Sequence, residues 1–141
     1  MDPDFDLARQ NLQSVLPRVS PQERGDLPRL LQRMADAERL VAQKKWAEAI
    51  PLLKEWIRQL PQHFRARVYL GNAFFALNQM AASAEQFEQA VRIRPDSAPS
   101  WQNLGALYDV LHRPADAQAA FQHVLQLDPQ NAVARQRLGV R

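Results

Sequence analysis

Trp101-Gln102-Asn103-Leu104-Gly105-Ala106-Leu107-Tyr108 decides the fold, because its typed residues return at a fixed step along the chain. Leu70 and Gly71 precede Leu104 and Gly105 by 34 residues, and Phe87 precedes Phe121 by the same step. Pro61, Pro95 and Pro129 keep it twice, and Ala37 stands one step before Gly71. A fixed period of this length marks a chain built from one repeated supersecondary unit.

Within each period a stretch with helical apolar spacing is followed by a polar break, a second such stretch, and then the proline. That order predicts a hairpin of two helices. The prolines lack an N–H and disfavour helical geometry in the preceding residue, so they end the second helices. Asn131 and Ser97 are predicted N-caps, Pro114 suits a first turn, and Asn78 tolerates a left-handed turn after the middle first helix. Gly71 and Gly105 lie opposite Ser83 and Ala117, where small residues permit close approach of two backbones. Pro51 falls inside the second helix of the first unit, where its ring removes a hydrogen bond to Ala47.

The run from Trp101 to Tyr108, with Ala117, Phe121 and Pro129, resembles the tetratricopeptide repeat at every strongly typed place. The middle unit keeps Leu70, Gly71, Phe74, Phe87 and Pro95, with Arg67 in place of tryptophan and Ser83 in place of alanine. In the first unit Ala37, Leu40, Ala49, Leu53 and Pro61 fit, while Asp36 replaces a leucine and Trp56 a small residue. The resemblance implies an all-α, right-handed superhelical stack of helical hairpins. It places three repeats in residues 30–131, at 30–63, 64–97 and 98–131.

Residues 1–29 then form an N-terminal capping segment, in which Phe5, Ala8, Leu12, Val15 and Leu16 predict an amphipathic helix. Ser20-Pro21-Gln22-Glu23 has the form of a capping box ending near Gly25. The apolar face of residues 5–16 covers the first repeat, pairs two copies of the chain in a homo-oligomer, or occupies the groove of its own or a second copy. Residues 132–141 read as a C-terminal capping helix, from Ala132 to Val140, or the start of a fourth repeat.

Composition narrows the function classes. Eighteen Lys and Arg against fifteen Asp and Glu give a net charge of +3, spread among carboxylates without a basic stripe, which argues against nucleic acid. No apolar run is long enough to span a bilayer, since the stretch from Phe74 to Leu77 is broken by Asn78 and Gln79. The acidic opening Met1-Asp2-Pro3-Asp4-Phe5-Asp6 does not resemble a secretory signal, so the expected place is cytoplasmic. There is no cysteine, and His63, His112 and His123 show no metal-ligand spacing. No Gly-rich phosphate loop or nucleophile elbow is present, so neither catalysis nor a cofactor or metal is expected.

The expected function is therefore to bind another protein as a scaffold. In stacked hairpins the first helices line a concave groove. Helical spacing nominates Met34, Glu38 and Val41 in the first unit, and Val68, Tyr69, Asn72 and Phe75 in the second. Gln102, Asn103, Ala106, Asp109 and Val110 follow in the third. Asn72 and Asn103 can donate and accept together, which suits them to gripping a peptide backbone.

Tetratricopeptide domains that hold chaperone tails grip the terminal carboxylate with two asparagines and three basic residues. Begun in the middle unit, that pattern matches Asn72, Asn103 and Arg137, but Val68 and Val133 replace lysines. Begun in the first, it fails at Met34, Glu38 and Pro99. A neutral or positively charged segment is thus expected over an acidic tail. The alternatives are an assembly or secretion chaperone for one client, a self-assembling structural protein, and the targeting arm of a larger enzyme.

Overall fold

The computed structural model describes residues 27–140. The amphipathic helix and capping box expected before residue 27, with their role in pairing two copies, lie outside the described residues. Seven helices follow in chain order: α1 (Leu27–Ala42), α2 (Trp46–Gln59), α3 (Phe64–Ala76), α4 (Met80–Ile93), α5 (Ala98–Val110), α6 (Pro114–Leu127) and α7 (Ala132–Arg137). No strand occurs among the described residues, and the architecture is the expected all-α stack of hairpins. Two compact units divide the chain between Ala66 and Arg67, inside α3.

The punctuation repeats as strictly as the apolar residues. The residues closing α2, α4 and α6 are Leu60 (φ −131°, ψ 74°), Arg94 (φ −135°, ψ 88°) and Asp128 (φ −139°, ψ 88°). All three are non-helical, as the proline that follows each of them requires. The turn after each first helix is left-handed, at Lys44 (φ 57°), Asn78 (φ 62°) and His112 (φ 57°), which stand 34 residues apart.

Each of these turns is sealed by the same backbone bond. Lys45 N–H donates to Leu40 O at 2.9 Å, Gln79 N–H to Phe74 O at 2.8 Å, and Arg113 N–H to Tyr108 O at 2.8 Å. Together with a bond from each left-handed residue to the carbonyl three residues before it, they satisfy the last carbonyls of the helix. The helix starts also follow expectation: Ser97 Oγ accepts from Ser100 N–H, and Asn131 Oδ1 accepts from Ala134 N–H at 2.9 Å.

In the first unit α1 packs on α2 around Met34, Ala37, Ala49, Leu53 and Trp56, all buried. The Trp56 ring is tilted against buried His63, with centroids 4.8 Å apart. His63 Nδ1 in turn accepts from Ala66 N–H at 3.3 Å, which caps the start of α3. An ion pair joins Arg33 on α1 to Glu55 on α2. Pro51 lies inside α2 with its ring exposed, so the helix forgoes one backbone bond without breaking.

In the second unit a cluster of Ala84, Phe87, Val91, Leu104, Leu107, Tyr108, Ala117 and Ala120 joins α4, α5 and α6. A smaller cluster of Phe121, Val124 and Ala134 seats α7 on α6. Half-buried Trp101 packs against both. Its Nε1 donates to Pro95 O at 2.8 Å, and its ring stacks on His123 at 4.1 Å between centroids. Ser83 Oγ donates to Gly71 O at 2.7 Å, so the small residue opposite the glycine anchors α4 to the α3 backbone.

The last helix corrects one expectation. It ends at Arg137, not Val140: Gly139 turns left-handed at φ 67°, and Val140 N–H closes on Arg135 O at 2.8 Å. Gly139 keeps the repeat register, one period after Gly105. Yet a side chain added there would meet nothing within 4 Å, whereas Gly71 and Gly105 are walled by aromatic rings. The same residue in register here follows a helix end, with no described side chain against it.

Candidate functional site

On α5, helical spacing separates two sides. Leu104, Gly105, Leu107 and Tyr108 are buried, while Asn103, Ala106 and Val110 are exposed and Gln102 and Asp109 are half-buried. The part of α3 in the second unit divides the same way, with Leu70, Ala73 and Phe74 buried and Phe75 exposed. Tyr69 and Asn72 are half-buried beside it. Val68 is half-buried and packs against the main apolar cluster. Phe75 and Val110 are 52% and 53% exposed, the largest values among the exposed large apolar side chains described.

The first-unit candidates fare differently. Met34 has no exposed surface and belongs to the core, so its nomination as a groove residue is corrected. Its place on α1 is turned toward α2, against which the helix packs. Glu38 is also buried, with Arg65 Nη1 at 3.7 Å from its carboxylate, so it serves an internal ion pair and not an open face. Val41 is half-buried.

Three candidates of the second unit take part in bonds between α5 and α7: Arg137 pairs with Asp109, and Gln102 pairs with Asn131. Arg137 Nε donates to Asp109 Oδ2 at 2.7 Å, and its Nη2 donates to Asp109 Oδ1 at 2.6 Å. Asn131 Nδ2 donates to Gln102 Oε1 at 2.9 Å, while the same side chain caps α7 through its oxygen. Arg137, which matches one basic place of the chaperone-tail pattern, is thus engaged by a carboxylate of its own chain. The guanidinium beside Asp109 holds that carboxyl below its usual range, and Asp109 raises Arg137 in return.

The sequence reading missed this link, and no short spacing announces it, since the partners stand 28 residues apart. It also missed Asn131 as a link to the site. A second polar cluster lies between α4 and α5. Tyr108 Oη donates to Glu88 at 2.8 Å, with the Arg113 guanidinium 4.5 Å above the Tyr108 ring. Burial, and then the Glu88 carboxylate, push the Tyr108 hydroxyl up to about 12.

Among the described residues no group of three His, Asp or Glu side chains is placed to hold a metal ion. No helix described is long and apolar enough to cross a membrane. What the second unit offers is a set of exposed or half-buried amides and apolar side chains on α3 and on α5, with α7 bonded to α5 through Asn131 and Arg137.

Profiles described as "Tetratricopeptide repeat" match residues 40–108 and 98–131. The chain belongs to the tetratricopeptide repeat family. Among curated proteins, this tetratricopeptide repeat chain is 38% identical over 74 residues to "Tetratricopeptide repeat domain-containing protein PYG7, chloroplastic" from Arabidopsis thaliana. That match covers 51% of the chain and 25% of the relative. The mouse "Protein O-mannosyl-transferase TMTC3" is 30% identical over 101 residues, covering 71% of the chain and 11% of the relative. The chain thus spans a quarter or less of these relatives' length.

Solved structures share the fold at lower identity. The crystal structure of MamA superposes with a TM-score of 0.75 at 19% identity, covering 99% of this chain and 82% of that one. The first repeat domain of Spaghetti (RPAP3), bound to the HSP90 peptide SRMEEVD, gives 0.69 at 21% identity, covering 86% and 91%. YrrB, described as having an unusual peptide-binding site, gives 0.65 at 19% identity, covering 75% and 54%.

Proposed function

We propose that this tetratricopeptide repeat chain is a protein-interaction module whose second unit holds a segment of a partner polypeptide against α3 and α5. One observation carries this reading: Phe75 and Val110 stand more than half exposed on the helix sides that also present Asn72 and Asn103. An apolar side chain of the partner covers the exposed aromatic and valine, and the amides bond its backbone. Spaghetti, with the same fold, is bound to a peptide in its solved structure, which makes peptide capture the natural reading of an amide-bearing face.

Substituting Asn72→Ala and Asn103→Ala together tests it once a partner segment has been isolated by pull-down. Affinity is expected to fall by about 1–3 kcal/mol, the usual worth of such hydrogen bonds, while the urea midpoint stays near that of the parent. Unchanged affinity removes the site from this face.

A further inference from the structure

We infer that Asp109 sets the ligand class of this face: by occupying the side-on edge of the Arg137 guanidinium it makes the site refuse a carboxylate and take an uncharged interior stretch of polypeptide. The inference rests on the proposed binding face. Its physical basis is the two-toothed pair, in which Nε and Nη2 of Arg137 meet the two oxygens of Asp109 at 2.7 and 2.6 Å. This is the geometry in which arginine recognises a ligand carboxylate, and here the side-on edge of the guanidinium is already taken.

A visiting carboxylate that seeks the side-on edge must displace one fixed within hydrogen-bond distance on the same chain. A tethered group of that kind acts at an effective concentration far above that of a free ligand. The visitor also meets the negative charge of Asp109 itself. The exposed residues of α5 are Pro99, Asn103, Ala106 and Val110, none of them cationic, and Val133 on α7 is apolar.

The seat of the pair is prearranged. Asn131 ties the start of α7 to Gln102, so both ends of α7 are fastened to α5 before any ligand arrives. The Arg137 guanidinium also lies over the Phe121 ring, 6.0 Å from its centroid. What the pair leaves to a ligand is the amides of Asn72 and Asn103 and the apolar surface of Phe75 and Val110.

The test follows the Arg137 Nε–H signal by NMR in the full chain, with sodium acetate as the carboxylate probe and sodium chloride at equal ionic strength as the reference. In the parent protein acetate is expected to move that signal no further than chloride does. In Asp109→Asn, acetate is expected to shift it saturably, with an apparent affinity on the order of ten-fold or more above the parent, as a charge-assisted bond implies. Saturable binding of acetate at Arg137 of the parent overturns the inference, as does an indifferent Asp109→Asn whose Leu138 methyl signals show α7 still docked. Because the probe is acetate and the reporter is Arg137, failure here is separate from failure of Asn72 and Asn103 to matter for a partner segment.

Discussion

The Phe121 ring lies so close over Gly105 that a Cβ built on the glycine comes within 2.9 Å of two ring carbons. Phe87 stands over Gly71 in the same way, at 2.8 Å. The aromatic side chain of each second helix, more than the small residue opposite, thus dictates glycine on the first. Both rings are buried.

Gly105→Ala sets two effects against each other. Alanine favours the helix by up to about 1 kcal/mol, but overpacking against an enclosed ring costs roughly 1–3 kcal/mol. A net loss of stability is expected in urea denaturation, and Phe121→Leu added to Gly105→Ala should recover part of it. A Gly105→Ala protein as stable as the parent contradicts the packing account.

The left-handed residues predict the opposite sign. Lys44 and His112 hold φ 57° at places where glycine or asparagine is comfortable, and left-handed geometry strains a residue with a Cβ by roughly 1–2 kcal/mol. Each side chain is exposed, so little packing is lost on removing it. His112→Gly and Lys44→Gly are each expected to raise stability, by about 0.5–1 kcal/mol after the added freedom of glycine in the unfolded chain is counted. Thermal melts that fall for both substitutions would show that the side chains do more than tolerate the turn.

Acid should loosen the last helix. Asp109 is held below its ordinary carboxyl value by Arg137, so the pair contributes stability that is complete above the unfolded-state value of about 3.8. That contribution is lost as pH falls through the lower folded value. The stability difference between the parent and Asp109→Asn, followed by denaturation across acid pH, should therefore be constant near neutrality and shrink below about pH 4. A difference independent of pH would mean that the pair carries no ionic stabilisation.

At the other end of the scale, Tyr108 gives a spectroscopic prediction. Its hydroxyl is pushed up to about 12 from the ordinary value of 10.0. A raised phenol stabilises the fold below the unfolded value, and that stability drains as pH rises from about 10 toward about 12. Tyrosinate absorbance should show the Tyr108 component, identified by its loss in Tyr108→Phe, titrating late. Ionisation near pH 10 while the protein is folded would argue against the bond to Glu88.

Much of this molecule was legible because the repeat writes its boundaries in residue types with one physical meaning. Pro61, Pro95 and Pro129 cannot continue a helix, and Ser97 and Asn131 carry the oxygen that an N-terminus needs, so ends could be placed from sequence. Lys44 and His112 were not legible as left-handed turns. There the hairpin fixes the backbone, and a residue with no preference for that geometry accepts it. Gly139 shows the converse: it keeps the register of Gly71 and Gly105, yet it takes a left-handed φ with no side chain near it.

The candidate face divided along the same line. Asn103, Ala106, Val110 and Phe75 are exposed as helical spacing required, since that property belongs to one helix. Met34 and Glu38 turned inward because their burial depends on tertiary neighbours, α2 for the one and Arg65 for the other. The partnership of Arg137 with Asp109 is likewise a tertiary event, set by how α7 is seated on Phe121, Val124 and Trp101.

The central claim, that α3 and α5 of the second unit form the binding face, is tested most directly by selecting peptides from a displayed random library against the full chain. Amide NMR then maps the tightest binder on the protein. The account predicts shifts concentrated at Asn72, Phe75, Asn103, Ala106 and Val110, together with selected sequences that are neutral and apolar at their centre. Shifts centred instead on the exposed sides of α4 and α6, with α3 and α5 unmoved, would contradict it.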